Sequence, residues 1–270
     1  MAKLVFMLRV KDGMFFLKEW LDRNEVIADE IVALDNGSTD GTYEMLKAHP
    51  KVVELIRTQG YDEGRDKNLL YQSVINRKAD WCLWTDVDEI FEAGLTRKHF
   101  DKLMRSRSFN KFSFRRFHFI DREGFAVSPY WLNYSSGHDR VLWRVLPGGF
   151  FENVLMDSPN VKGIRGFTLG TNFRLKHLGY INKSIVDKKA DQYRGMTNGE
   201  KEQNISSMYL QNEKRMVWSD DRKSSGVILL NWKLNIIMLK HKIPAAFRKA
   251  GHLISNRTKK LNTSMGSLFS

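Results

Sequence analysis

Asp86 and Asp88 stand two residues apart at the end of the run Trp84-Thr85-Asp86-Val87-Asp88-Glu89, with Glu89 beside them. Where a strand turns out toward solvent, carboxylates at that spacing can reach one point. Hard divalent cations such as Mg²⁺ or Mn²⁺ want oxygen ligands, and commonly take one or two carboxylates together with substrate phosphates. An Asp-x-Asp pair alone is short enough to be a solvated acidic turn. Its weight comes from the apolar segment Trp81-Cys82-Leu83-Trp84 in front of it, which reads as a buried strand.

A second polar cluster, Asp35-Asn36-Gly37-Ser38-Thr39-Asp40-Gly41-Thr42, follows another apolar run, Glu30 to Leu34. Gly37 relaxes the backbone, and Ser38, Thr39 or Asp40 can cap the following helix. A helix start offers amide donors to an anion or a base edge. Capping leaves Asp35 unexplained; at the strand's end its carboxylate can accept hydrogen bonds from a nucleobase or ribose.

Strand and helix patterns that would position these groups alternate through the first ninety residues. Strands are predicted at 4–8, 30–34, 52–56 and 81–84, with helices around 14–23, 42–49 and 64–77. Such alternation implies a parallel sheet with right-handed crossovers, whose ligands bind at the carboxyl ends of the strands. Both polar clusters lie at those ends. Later, Phe109 to Phe119 alternates aromatic and basic residues, 141–146 runs into the turn Pro147-Gly148-Gly149, and 167–175 is again strand-like. The stretch 182–218 reads as mainly helical.

The chain has 270 residues, 42% hydrophobic and 12% aromatic, which suits a globular protein with a substantial core. The single cysteine, Cys82, excludes an internal disulfide and reads as packing. Ten Lys/Arg and no Asp/Glu fall in 222–270, so that tail carries +10 of the net +13. The apolar start at 4–8 is too short for a signal-peptide core, and no stretch reaches the ~20 apolar residues of a membrane span. A cytoplasmic protein is expected.

Leu34 to Thr42, followed some forty residues on by Trp84 to Glu89, resembles family-2 glycosyltransferases of the A-type fold. The segment Leu8-Arg9-Val10-Lys11-Asp12 is similar to that family's first strand, with Lys11-Asp12 where Asn-Glu is usual. Gly64-Arg65-Asp66-Lys67-Asn68 is similar to its donor-contacting segment, Lys67 replacing the commoner arginine. Arg174-Leu175-Lys176-His177-Leu178-Gly179-Tyr180, followed by Lys188-Lys189, is similar to a strand-end histidine segment.

The resemblance implies an α/β fold of GT-A type: a Rossmann-like, mostly parallel central sheet flanked by helices. Residues 1–92 would be its nucleotide-binding half, 93–221 its acceptor half, and 222–270 a helical basic extension. It implies a nucleotide-sugar donor contacted by Arg9, Asp35, Asn36, Arg65, Lys67 and Asp86. It also implies Mn²⁺ or Mg²⁺ held by Asp86, Asp88 and His177, the ion neutralising charge on the leaving nucleoside diphosphate. The transfer would be inverting, of a hexosyltransferase kind, to a glycan or lipid-linked acceptor in cell-surface polysaccharide or lipopolysaccharide synthesis. A carboxylate base is then needed. Glu152 is favoured because it follows Gly148-Gly149 and two aromatics that promise partial desolvation; Asp139 beside Arg140 is the other candidate.

Two sequence features bear on partners. Period-two alternation in 112–119 suits a half-buried strand with aromatics inward, or an acceptor groove lined by Arg115 and Arg116. In the tail, Val227, Leu230, Leu234, Ile237 and Met238 share a helical spacing among basic residues, as in a helix lying on an anionic membrane. Rival readings are a nucleotidyltransferase acting on sugar phosphates and a basic nucleic-acid-binding protein. The first lacks a glycine-rich phosphate loop after the first strand; the second lacks a recognisable module, so no nucleic acid is expected.

Overall fold

A computed structural model describes residues 1–127, 141–156, 160–194 and 214–220. In chain order the elements are β1 (Leu4–Val10), α1 (Met14–Asn24), β2 (Glu30–Asp35), α2 (Thr42–Ala48), β3 (Val52–Arg57), α3 (Glu63–Asn76), β4 (Trp81–Trp84), β5 (Glu89–Phe91), α4 (Arg97–Met104), β6 (Lys111–His118), β7 (Gly124–Ala126), β8 (Val141–Arg144), β9 (Thr168–His177), α5 (Lys183–Arg194) and β10 (Arg215–Val217). The fold class is α/β, with the mostly parallel central sheet and flanking helices that the sequence led one to expect.

Eight strands form that sheet in the order β3-β2-β1-β4-β8-β6-β9-β5. The first four are parallel; β8 runs against both β4 and β6, β9 runs with β6, and β5 runs against β9. Leu4, Val5, Phe6, Met7 and Leu8 of β1 are all fully buried, which is why this central strand is a continuous apolar run rather than an alternating one. Helix α3 and the segment around Phe151 cover one face, where Leu70, Tyr71, Val74, Trp84, Trp143 and Phe151 form one cluster.

The position of β5 shapes the molecule. It lies four inter-strand steps from β4, about 19 Å in a flat sheet. Yet only five residue steps, at most about 18 Å of chain, join Trp84 to Glu89. The sheet must therefore curl, bringing its far edge back toward the end of β4. Buried ion pairs fasten that edge: Glu89 accepts from Arg116 at 3.0 Å, and Glu92 accepts from the Arg174 side chain at 2.6 Å.

Three expectations change. Strand β6 is buried on both faces, not one, and Arg115 and Arg116 lie inside; Arg116 serves Glu89 rather than an open groove. The helical reading of 182–218 holds for α5, but Arg215–Val217 is a strand paired with β7. Ser38 and Asp40 lace together two loops, with Gly41 at the helix cap in a left-handed conformation, φ 93°. Ser38 Oγ accepts from the Asp12 amide at 2.8 Å, and Asp40 accepts from the Met14 amide at 3.0 Å. The 222–270 extension lies outside the described residues.

Candidate active site

The carboxyl ends of β1, β2 and β4 open onto one place. Asp35, fully buried at the end of β2, accepts from the amides of Gly37 at 3.1 Å and Ser38 at 3.0 Å, and faces Arg57 Nε at 3.4 Å. Much of its hydrogen-bonding capacity thus goes to shaping its own turn. Asn36 turns inward as well, donating to Thr58 Oγ1, Gly60 O and Asp66 Oδ2.

Asp66 is the hub here. Fully buried on α3, it also accepts from Arg65 Nε at 2.9 Å and lies 3.7 Å from Arg9 Nη1. Arg65 is more exposed and donates to Gly60 O at 3.2 Å. Arg9, at the end of β1, stacks its guanidinium 4.1 Å over the Tyr61 ring. Its side chain is only 11% exposed, and its Nε and Nη1 are buried without hydrogen-bond partners. Burial works against that charge, but the Tyr61 phenol and the carboxylates of Asp86 and Glu63 outweigh it, holding the guanidinium above its ordinary pKa. Lys67, expected to contact a donor, is buried. Its ammonium lies 4.3 Å over the Trp84 ring and donates to Glu63 at 2.5 Å, so its charge is already engaged.

The other half is built on the curled edge. The Glu89 carboxylate accepts from the Asp86 amide at 3.0 Å, fixing the Asp86–Glu89 turn, while Trp20 Nε1 donates to Thr85 Oγ1 at 3.1 Å. Strand β5 pairs Glu89 with His177, and the Leu178 amide donates to the Asp88 carbonyl at 2.8 Å. That pairing delivers His177 Nε2 to within 3.7 Å of Asp88 Oδ2. Behind it, His118 Nδ1 is 2.8 Å from His177 Nδ1, because parallel register sets the two strand ends side by side. The ring of Tyr180 packs against both imidazoles. Lys189 of α5 donates to Asp88 Oδ2. Burial opposes its charge, but the Asp88 carboxylate prevails and raises the ammonium's pKa. Asp86 acts electrostatically on both Arg9 and Lys189, so it stands between the halves.

The donor set suits a hard cation in part. Asp88 and His177 converge at a spacing a little wider than the ~3 Å between neighbouring ligands of an octahedral ion. Among the described residues, no three His, Cys, Asp or Glu side chains converge as a ready-made metal site, so Asp86 does not complete a triad. Ions of this class take their remaining ligands from substrate phosphates and water, and Asp88 already holds a positive charge.

No family model matches the chain. An uncharacterized protein of Mycobacterium tuberculosis is 28% identical over 101 residues, 34% of this chain and 25% of the relative; its Mycobacterium bovis counterpart gives the same figures. The chain spans about a quarter of the length of these curated relatives. Among solved structures, TarS 1-349 of S. aureus is 11% identical, covering 77% of this chain and 71% of that one, with a TM-score of 0.47. Mannosyltransferase PcManGT of Pyrobaculum calidifontis, in complex with GDP-Man and Mn²⁺, is 11% identical over 96% and 80%, with a TM-score of 0.46. Glucosyl-3-phosphoglycerate synthase of Mycobacterium tuberculosis, in complex with Mn²⁺ and UDP-glucose, is 14% identical over 80% and 86%, with a TM-score of 0.41.

The base candidates fare differently. Glu152 is 48% exposed and faces Lys162 Nζ at 3.6 Å, so the desolvation anticipated for it is not found; of the two aromatics before it, Phe151 is buried and Phe150 is half exposed. Asp139 lies outside the described residues. Asp66, Tyr61, Glu63, His118 and Lys189 complete the constellation and were not singled out from the sequence. Asp66 and Lys189 sat inside or just after motif segments, but nothing in the chain announces the β6–β9 register that brings in His118.

Proposed function

We propose that this chain is a metal-dependent glycosyltransferase, moving a sugar from a nucleotide-diphosphate sugar to a hydroxyl of a glycan or glycolipid acceptor. Arg9 carries the reading: a buried guanidinium with two nitrogens that make no hydrogen bond, at the carboxyl edge of a parallel sheet, is a site built for an acceptor-rich ligand. Arg9, Tyr61 and the Asp35–Asn36 turn would receive the nucleotide, with Asp66 holding Arg9, Asn36 and Arg65 in place. Asp88 and His177 would hold Mn²⁺ or Mg²⁺, and Asp86 would face the ribose or reach the ion through water. Such an ion supplies positive charge where negative charge develops on the leaving diphosphate.

In the displacement, the acceptor hydroxyl oxygen bonds to the anomeric carbon as the bond to the diphosphate oxygen breaks. The electron pair leaves with the nucleoside diphosphate, and Glu152 or Asp139 takes the hydroxyl proton, with inversion. E152Q and D139N tell these two apart: the variant lacking the base loses transfer and keeps donor binding. Residues 1–221 would form the catalytic domain, and 222–270 would dock on an anionic membrane surface carrying a lipid-linked acceptor for polysaccharide synthesis. Among the described residues no helix is long and apolar enough to cross a membrane.

Thermal unfolding with UDP-, GDP-, dTDP- and CMP-sugars, each with and without Mn²⁺, tests the reading, since a ligand of the folded state raises its melting temperature. A metal-dependent rise with one nucleotide class is expected. No shift with any of them would overturn it.

A further inference from the structure

Lys189 takes the place a metal would need. Its ammonium donates to Asp88 Oδ2, the same oxygen that faces His177 Nε2. The Asp88 side chain is 4% exposed and that of Lys189 is 33% exposed, so the lysine lies between the carboxylate and solvent. The fold makes room for this. A Cβ on Gly179 would come within 2.6 Å of Asp88 Oδ2 and 2.7 Å of Lys189 Nζ, so a side chain there would expel the ammonium. One carboxylate oxygen in a nearly dry setting cannot hold an ammonium and a divalent ion together, because the two positive charges repel strongly at such a distance.

The geometry points to Lys189 as a resident cation that occupies Asp88 and must be displaced before a divalent ion binds. The inference rests on the metal site proposed above and adds an order of events. Without donor, a metal must break the Lys189–Asp88 pair and leave the freed ammonium to water alone. With donor, the displaced ammonium finds a new anionic partner in the diphosphate. Metal and nucleoside diphosphate therefore bind with positive coupling, and Lys189 is the group that couples them.

The test is Mn²⁺ titration followed by electron paramagnetic resonance, on the full chain, with and without UDP or GDP. K189M is expected to bind Mn²⁺ alone tighter than the unaltered chain by about 5–150-fold, the usual range for a coupling of this kind, and to lose most of the gain on adding the nucleotide. K189R, which keeps a cation, should behave like the unaltered chain. Circular dichroism checks folding, and K189Q replaces K189M if the latter is unfolded. Equal or weaker Mn²⁺ affinity in the charge-neutral variant overturns the inference. D88N separates the two levels: if it abolishes Mn²⁺ binding while K189M fails to tighten it, only the role of Lys189 falls. If D88N leaves Mn²⁺ affinity unchanged, or neither protein binds Mn²⁺ with any nucleotide, the metal site falls and the inference with it.

Discussion

His118 and His177 meet Nδ1 to Nδ1 at 2.8 Å, a contact in which one ring must donate and the other accept. If His177 donates, its Nε2 keeps a lone pair facing Asp88, which is the form a metal requires. In the proposed metal site, His118 then fixes the tautomer of His177 without touching the ion. Groups in that outer position usually matter by about 10–100-fold in metal affinity. H118F is expected to weaken Mn²⁺ binding by that factor while leaving nucleotide binding without metal unchanged; unchanged Mn²⁺ affinity would remove His118 from the site.

Arg9 should show the opposite balance between function and stability. Its Nε and Nη1 make no hydrogen bonds, and R9M gives up only the 3.7 Å approach to Asp66 and the stack on Tyr61, so the melting temperature is expected to fall by about 2–4 °C. Nucleotide affinity should fall by about 10–150-fold, the value of a charge-assisted hydrogen bond. R9K restores charge without the planar fork and should recover only part. Calorimetric titration with the preferred nucleotide decides, and a large loss of stability in R9M would make Arg9 a structural residue.

Removing Arg174 should loosen the sheet's far edge. Its guanidinium is buried against Glu92, donates to Ser219 O at 2.9 Å, and lies 4.2 Å over the Trp218 ring. R174M strands a buried carboxylate, a change that typically costs about 3–5 kcal/mol. Urea denaturation measures it; a loss below about 1 kcal/mol would show that Glu92 is satisfied without its partner.

Glu30 gives the molecule an acid-sensitive fastening. Arg77 grips its carboxylate with two hydrogen bonds of 2.8 and 2.9 Å; burial opposes this, and Lys3 at 2.8 Å adds to it. The net result pulls its pKa from 4.5 down to about 2. A depressed folded-state pKa means the stabilisation is complete above the unfolded value near 4.5 and is lost as pH falls toward about 2. The stability gap between the native chain and E30Q should therefore shrink by about 2 kcal/mol between pH 6 and pH 3. A gap independent of pH in that range would refute the assignment.

The parallel half of the sheet was legible because β1, β2 and β4 are buried on both faces and so appear as unbroken apolar runs, each followed by polar residues. Asp35 and Asp88 were readable as polar residues following apolar strands, and His177 only through the family resemblance. Neither signal revealed what occupies them. Asp35 is turned to its own loop by Gly37 and Ser38, Lys67 is drawn under Trp84, and Asp88 is held by a lysine one hundred and one residues away. Each depends on tertiary register, and His118 is the clearest case: the period-two pattern turns Phe117 and Phe119 inward and so His118 outward, whereas both faces of the strand are buried.

The curl that returns β5 toward the end of β4 has a dynamic consequence. The Arg9 side of the site rides on the long, fully buried central strand, whereas the Asp88–His177 side hangs on a three-residue ladder. Amide exchange should therefore be slow across β1 and faster at Glu89–Phe91, and fraying of that ladder would part Asp88 from His177 while leaving the Arg9–Asp66 side whole. A ligand bridging both sides would act as an extra rung, slowing exchange at a strand it scarcely touches.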